Sequence, residues 1–218
     1  GSIQSAAALL SGEGGTKFPL VSSNDEFRKI ARTFPSVYEL LPRFDNAIVY
    51  DQAHSKTGGA FPMFDITEWQ SNIRGDSMFG SRLSGADSFF NGPSPEMLPL
   101  NQLPKSVRDR ILLIAGEGED TKTSIVVQPR GPNGQIRNFF NFEVSPNGDG
   151  DGTVPLESAT SYKSQVLTLK VKSKLLDKAT HSLFLNDGRV QTAIGRFLGP
   201  GPKTGQWWRD VADSVQRV

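Results

Sequence analysis

An acid and a histidine on successive strand-end loops form the orienting half of a Ser-His-Asp triad. The chain carries such a pair. Asp151 lies within Asn147-Gly-Asp-Gly-Asp-Gly-Thr-Val-Pro155, and His181 lies within Thr180-His-Ser182. In triad chemistry the carboxylate fixes the imidazole tautomer and stabilises the imidazolium that forms when the histidine accepts a proton. Glycines at 148, 150 and 152 allow a tight, positive-φ backbone, so a short acid between them can be aimed at a neighbour. The apolar run Asn138-Phe-Phe-Asn-Phe-Glu-Val144 leads into this loop, and Leu156-Glu-Ser-Ala159 carries the chain away.

Asp151 has two other readings. Asn147, Asp149, Asp151 and Gly152 match positions 1, 3, 5 and 6 of a calcium-binding EF-hand loop. Against this, position 12 is Ser158, the glutamate falls one residue early at Glu157, and Pro155 takes position 9. A plain solvated turn is the third reading, since stretches rich in Asn, Asp and Gly commonly form turns. Asp149 reads as a turn-former. His54 sits in a polar loop and reads as exposed. Ser36 and Tyr38 are expected to cap and pack rather than to react. No Gly-x-Ser-x-Gly elbow occurs in the sequence. The nearest imitation, Gly75-Asp-Ser-Met-Phe-Gly80, follows Glu68-Trp-Gln-Ser-Asn-Ile-Arg74, which is not strand-like, whereas a nucleophile elbow needs a strand before its serine. Ser77 is therefore not expected to be a nucleophile.

The elements that would position the pair follow from periodicity. Ile3 to Leu10 reads as a short helix ended by Gly12. Ser23-Asn24-Asp25 caps a helix whose apolar residues Phe27, Ile30, Ala31 and Phe34 recur at helical spacing, and Pro35 stops it. Ser36-Val-Tyr-Glu39 has capping-box spacing for a further turn. Strands are expected at Asn46–Tyr50, Arg110–Ala115, Thr123–Val127 and Val166–Val171. The second of these is apolar enough to be buried on both faces inside a parallel sheet. Pro129 to Gly134 reads as a turn, and Ile136 to Val144 returns toward the acid loop. From Asp51 to Leu103 periodicity is lost, and the segment is either a lid or an irregular excursion packed on the core. Val190, Ala193, Ile194, Phe197 and Leu198 form a helical stripe, and Trp207, Val211 and Val215 suggest a last amphipathic helix.

With 36% hydrophobic residues in 218, the chain suits a globular protein with one fair-sized domain or part of a larger enzyme. A net charge of +1 gives no electrostatic case for a nucleic-acid partner. The absence of cysteine rules out disulfides and thiolate metal sites. No apolar run approaches the roughly 18 residues of a transmembrane segment. A soluble protein is expected, with its compartment open and a cytoplasmic place favoured.

Gly150-Asp-Gly-Thr-Val-Pro155 with His181 resembles the acid and histidine motifs of the lecithin:cholesterol acyltransferase-like α/β-hydrolases. Thr33-Phe-Pro-Ser-Val-Tyr-Glu-Leu-Leu-Pro42 is similar to a second segment of that family, and Gly1-Ser2 matches the end of its Gly-Thr-Pro-x-x-Gly-Ser stretch. The resemblance covers only the family's C-terminal half, and it selects Asp151 over Asp149 as the acid. It implies an α/β fold: the C-terminal part of an α/β-hydrolase, with a mostly parallel sheet flanked by helices and a loop-rich cap. Residues 1–50 would follow the nucleophile region, 51–103 would form the cap, 104–200 would carry the acid and histidine loops, and 201–218 would be a C-terminal helix. The implied activity is that of a serine hydrolase or acyltransferase on lipid-like or other esters, with no cofactor. Asp151 and His181 would be catalytic, and the serine would come from an N-terminal part of the same protein. The alternative is a non-catalytic binding module, with or without calcium in the Asn147–Glu157 loop.

Overall fold

A computed structural model describes residues 2–10, 23–42, 44–51, 59–69, 71–91, 100–127, 145–173, 181–209 and 213–218. In chain order the helices are α1 (Ile3–Leu10), α2 (Asn24–Ala31), α3 (Pro35–Glu39), α4 (Ser71–Arg74), α5 (Ser77–Asn91), α6 (Lys105–Arg108), α7 (Leu156–Ala159) and α8 (Gly188–Leu198). The strands are β1 (Ile48–Tyr50), β2 (Leu112–Glu117), β3 (Glu119–Lys122), β4 (Ile125–Val127), β5 (Asn147–Gly150), β6 (Leu167–Lys172) and β7 (Val215–Arg217). The protein is mixed α/β, and among the described residues it holds three small sheets. β1 pairs with β4 in parallel, and β3 pairs with β5. β2, β6 and β7 form the third sheet in that order, with β2 and β6 parallel and β7 antiparallel to β6. No helix among the described residues is long and apolar enough to cross a membrane. The chain divides into two compact units: Gly1–Pro95 with Lys122–Asn147, and Glu96–Thr121 with Gly148–Val218.

In the first unit the alanine-rich helix α1 buries every residue but the polar Gln4 and Ser5, as a helix so largely apolar must. Arg32 closes its C-terminal end. The Nε and Nη2 of Arg32 donate to the Leu9 carbonyl at 3.0 and 2.8 Å, and the guanidinium lies over the Phe79 ring. Burial holds this guanidinium down, to about 10. Ser23 caps α2 by accepting from the Glu26 N–H, as the sequence suggests. The capping box expected at Ser36 does not form. Pro35 occupies the first turn of α3, where a missing N–H costs nothing, and Phe34 is the N-cap without a side-chain bond.

The segment from Asp51 to Leu103, read as aperiodic, contains a 15-residue helix, α5. Asp76 caps its start by accepting from the N–H groups of Met78 and Phe79. Gly80 and Gly85 make that stretch look broken. A Cβ at Gly80 would lie 2.8 Å from Ile66 Cδ1, so this glycine lets a side chain pack against the helix. Three aromatic residues of the segment, Phe61, Trp69 and Phe79, lie in the core, Phe64 and Phe90 pack against it half-buried, and Phe89 is exposed. Trp69 stacks edge-on to Phe79 and Phe61 and donates its indole N–H to the Met63 carbonyl at 2.7 Å.

In the second unit β6 is central to its three-stranded sheet, and α8 packs Val190 and Ala193 into the same cluster as Leu169, Val171 and Val215. β2 departs from the expectation of a strand enclosed on both sides. Among the described residues its one strand neighbour is β6, and Leu112 to Ile114 are only half buried. The expected C-terminal helix across 201–218 is corrected too. Val215–Arg217 is strand β7, because Val215 finds a cross-strand partner in Val171 and is buried there. Glycine and proline at 199–202 leave that approach irregular. Val211 falls outside the described residues, as do His54 and the stretch from 128 to 144.

Asp187 caps α8 and grips Arg189. Its Oδ1 accepts the Arg189 N–H at 2.8 Å, and its Oδ2 accepts from Nη2 at 2.5 Å. Arg189 Nη1 also reaches the Lys172 carbonyl and the Ser214 hydroxyl. The hydrogen bond from Arg189 holds the Asp187 carboxyl below its usual range, against the opposing effect of burial. A depressed carboxyl stabilises the fold above its unfolded-state pKa of about 4 and loses that contribution as pH falls through the folded value. Asp187→Ala is therefore expected to cost about 3 kcal/mol at neutral pH, because it removes the carboxylate partner of a guanidinium whose side chain is 13% exposed and, with it, the cap of α8. In urea denaturation the gap between parent and variant should narrow below about pH 4. An equal gap at pH 7 and pH 3 would remove the ion pair from this account.

Candidate active site

Strand β5 ends at Gly150, and the next residue is Asp151. A Cβ at position 150 would lie 2.5 Å from the Val154 carbonyl oxygen and 2.6 Å from Thr121 Oγ1, so the turn closes only around a glycine. Gly152 follows at φ +87°, which turns the chain back. The turn is held by Asp151 N–H to Val154 O at 3.3 Å, and by Gly152 N–H to Thr121 Oγ1 at 2.8 Å. Pro155 then opens α7. Glycine and proline positions thus set the loop, and Thr121 of β3 braces it.

Within the loop the two carboxylate oxygens of Asp151 have different work. Oδ1 accepts the N–H groups of Thr153 and Val154 at 3.0 and 2.7 Å. Oδ2 faces His181 Nδ1 at 3.1 Å. The Asp151 carbonyl also accepts the His181 N–H at 2.9 Å, so backbone and side chain both tie the histidine to the acid loop. His181 opens a 3-10 helix that runs to Asn186, just after the span that leaves β6. Asp151 is buried, at 9% exposure, whereas the His181 side chain is 54% exposed.

The contact selects the tautomer of a neutral imidazole. A carboxylate only accepts, so the hydrogen on a neutral imidazole is drawn to Nδ1 and the lone pair is left on Nε2. That nitrogen makes no hydrogen bond among the described residues, and more than half of the side chain is open. An oriented imidazole with an accessible basic nitrogen can take a proton from a hydroxyl and return it to a leaving group. The two backbone donors on Oδ1 keep the carboxylate from rotating away.

The other residues weighed from the sequence fall elsewhere. Asp149 accepts the Gly118 N–H at 2.5 Å and ties the end of β2 to the loop, which is a structural role. Ser77 is exposed in the first turn of α5 and follows helix α4, so it lacks the strand that an elbow requires. Ser36 is exposed in α3, and Tyr38 is buried with its hydroxyl donating to the Arg32 carbonyl. For the calcium alternative, Asp149 and Asp151 already serve backbone N–H groups. No cluster of three metal-ligating side chains occurs among the described residues. Nothing local to residue 121 in the sequence marks Thr121 as the brace of this loop.

No protein-family model matches the chain, and a comparison with curated proteins finds no match.

Proposed function

We propose that the chain supplies the acid and the base of a serine hydrolase or acyltransferase acting on lipid-like or other esters, within an α/β-hydrolase fold. The observation that carries this reading is the Asp151 Oδ2 to His181 Nδ1 contact of 3.1 Å, with Oδ1 anchored by two N–H groups and Nε2 open. In the reaction a serine hydroxyl attacks the ester carbonyl while His181 Nε2 takes its proton. That proton then passes to the departing alcohol, which leaves an acyl-enzyme. Water or an acceptor alcohol, deprotonated by the same nitrogen, releases the acyl group and regenerates the serine. The ester class rests on the resemblance of the acid and histidine motifs.

The serine and the oxyanion donors are assigned to a part of the protein outside these 218 residues. Two features support that assignment. The parallel strand β2 has one strand neighbour among the described residues, although such strands are ordinarily enclosed. Beside it runs an apolar groove of about 600 Å³, lined by Ile111, Leu112, Ile114, Phe184, Leu185 and Phe197, suited to being covered by further structure.

The test is labelling with a fluorophosphonate, which reacts with an activated serine. In the protein that includes the upstream part, the label should map to a serine outside these 218 residues and be lost in His181→Ala. The 218-residue chain by itself should leave p-nitrophenyl butyrate unhydrolysed. Labelling of Ser77, or labelling untouched by His181→Ala, would overturn the proposal.

A further inference from the structure

Apart from the acid–histidine pair, the second unit contains a concave site of about 760 Å³ with an unusual charge. Lys105 and Arg108 reach it from α6, Lys163 from the turn before β6, Lys203 from the segment after α8, and Arg217 from β7. Asp109 is the one carboxylate in its lining. Five cations against one anion give a local balance of +4, whereas the whole chain carries +1. Isolated surface lysines are ordinarily just solvated, but here cations from four separate segments converge on one hollow.

Two of the five are already engaged. Lys105 pairs with Asp109 at 2.6 Å, and Lys203 donates to the Gly199 carbonyl at 2.8 Å. Arg108, Lys163 and Arg217 have no carboxylate partner among the described residues. The Nε of Arg108 is moreover buried without any hydrogen-bond acceptor. A buried donor left unmatched calls for an explanation. A partly desolvated guanidinium also gains more from an arriving anion than one in bulk water does.

Trp207 and Trp208 form an aromatic wall on the same hollow. Trp207 stacks on Phe197 with centroids 6.0 Å apart, and Trp208 meets it edge-on at 5.6 Å. Arg196 fixes this wall by donating to the carbonyls of Trp207 and Arg209. Two forked guanidinium groups and a lysine lining one hollow suit the oxygens of a phosphate better than a single carboxylate. The volume falls within the range of small-ligand sites.

We infer that this cleft binds a phosphate-bearing ligand, with Arg108, Lys163 and Arg217 holding the phosphate and the Trp207–Trp208 wall packing against the ligand's non-ionic part. The source is either a soluble phosphate ester or the headgroup of an anionic phospholipid, which share this chemistry. The inference does not depend on the catalytic proposal.

The three tryptophans of the chain give a direct readout through their indole N–H signals in NMR spectra. Titration of the intact chain with phenyl phosphate should move the Trp207 and Trp208 signals in a saturable way. The Trp69 signal, from the core of the first unit, should stay in place, and phenol should move none. The second arm is flotation with phosphatidylcholine vesicles, with and without phosphatidic acid. Binding to phenyl phosphate identifies a soluble ester, and binding to phosphatidic acid vesicles alone identifies a headgroup. Either binding should weaken at least tenfold in Arg108→Gln/Lys163→Gln and survive in Arg108→Lys, with unchanged far-UV circular dichroism showing that each variant is folded. Binding to neither, or binding that the double variant leaves intact, overturns the inference.

Discussion

On the proposed acid–base role, Asp151→Asn should lower the rate of ester turnover by roughly 10⁴-fold, in a protein that also holds the serine, while leaving the fold intact. The asparagine keeps a carbonyl oxygen for the N–H groups of Thr153 and Val154, which now bond Oδ1. Its amide nitrogen then occupies the place of Oδ2, 3.1 Å from His181 Nδ1. An amide N–H₂ can only donate there, so Nδ1 must accept and the imidazole hydrogen moves to Nε2. The nitrogen proposed to take the serine proton is then blocked. His181→Ala removes the base outright and should cost at least as much. Groups that act as one unit are not additive in their losses, so Asp151→Asn in the His181→Ala background should cost little more. Active-site-titrated turnover of a p-nitrophenyl ester by the parent, both single variants and the double variant measures this. If Asp151→Asn stays within about tenfold of the parent, Asp151 does not set the tautomer. If the losses in the double variant multiply, the two residues do not act together.

The parts of this site that were legible in the sequence are those written in local chemistry. Glycines at 150 and 152, with proline at 155, dictate a turn from conformational limits alone, and a short acid between them has few directions to point. The Ser23 cap of α2 and the apolar stripe of α8 were readable for the same reason, since each is a rule among residues a few positions apart. What stayed hidden depends on partners distant in the chain. Gly80 looks like a helix breaker until Ile66 is known to pack against it. Val215 fits a helical stripe with Trp207 and Val211, but burial against Val171 draws it into a strand. The apolar run of β2 signals a strand, yet whether it is enclosed on one side or two is settled by which strands lie beside it. Thr121 Oγ1 braces the acid loop from 31 positions away, and a threonine in a polar stretch gives no hint of that task.

The acid loop should also fail when a single methyl group is added at Gly150. The methyl of Gly150→Ala would sit 2.5 Å from the Val154 carbonyl oxygen, 2.6 Å from Thr121 Oγ1 and 2.9 Å from Thr121 Cβ. The nearest of these atoms is backbone, so the turn must open instead of a side chain swinging aside. Opening it strains the Asp151 N–H to Val154 carbonyl bond and the Gly152 N–H to Thr121 Oγ1 bond together. Overpacking of this kind costs about 1–3 kcal/mol. A displacement of about 1 Å in the Asp151 carboxylate should cost roughly 10²-fold in rate. Gly152→Ala is the informative comparison. Its Cβ would meet nothing closer than Glu119 Cβ at 3.9 Å, so there the penalty is only that of placing an alanine at φ +87°. Left-handed backbone of that sort costs an L-residue about 1–2 kcal/mol and asks for no movement of the loop. Urea midpoints and kcat/KM for both variants should place Gly150→Ala as the more damaging in rate, with Gly152→Ala losing stability and keeping most of its activity. The reverse order would mean that backbone conformation, and not the close approach of Val154 and Thr121, holds Asp151 against His181.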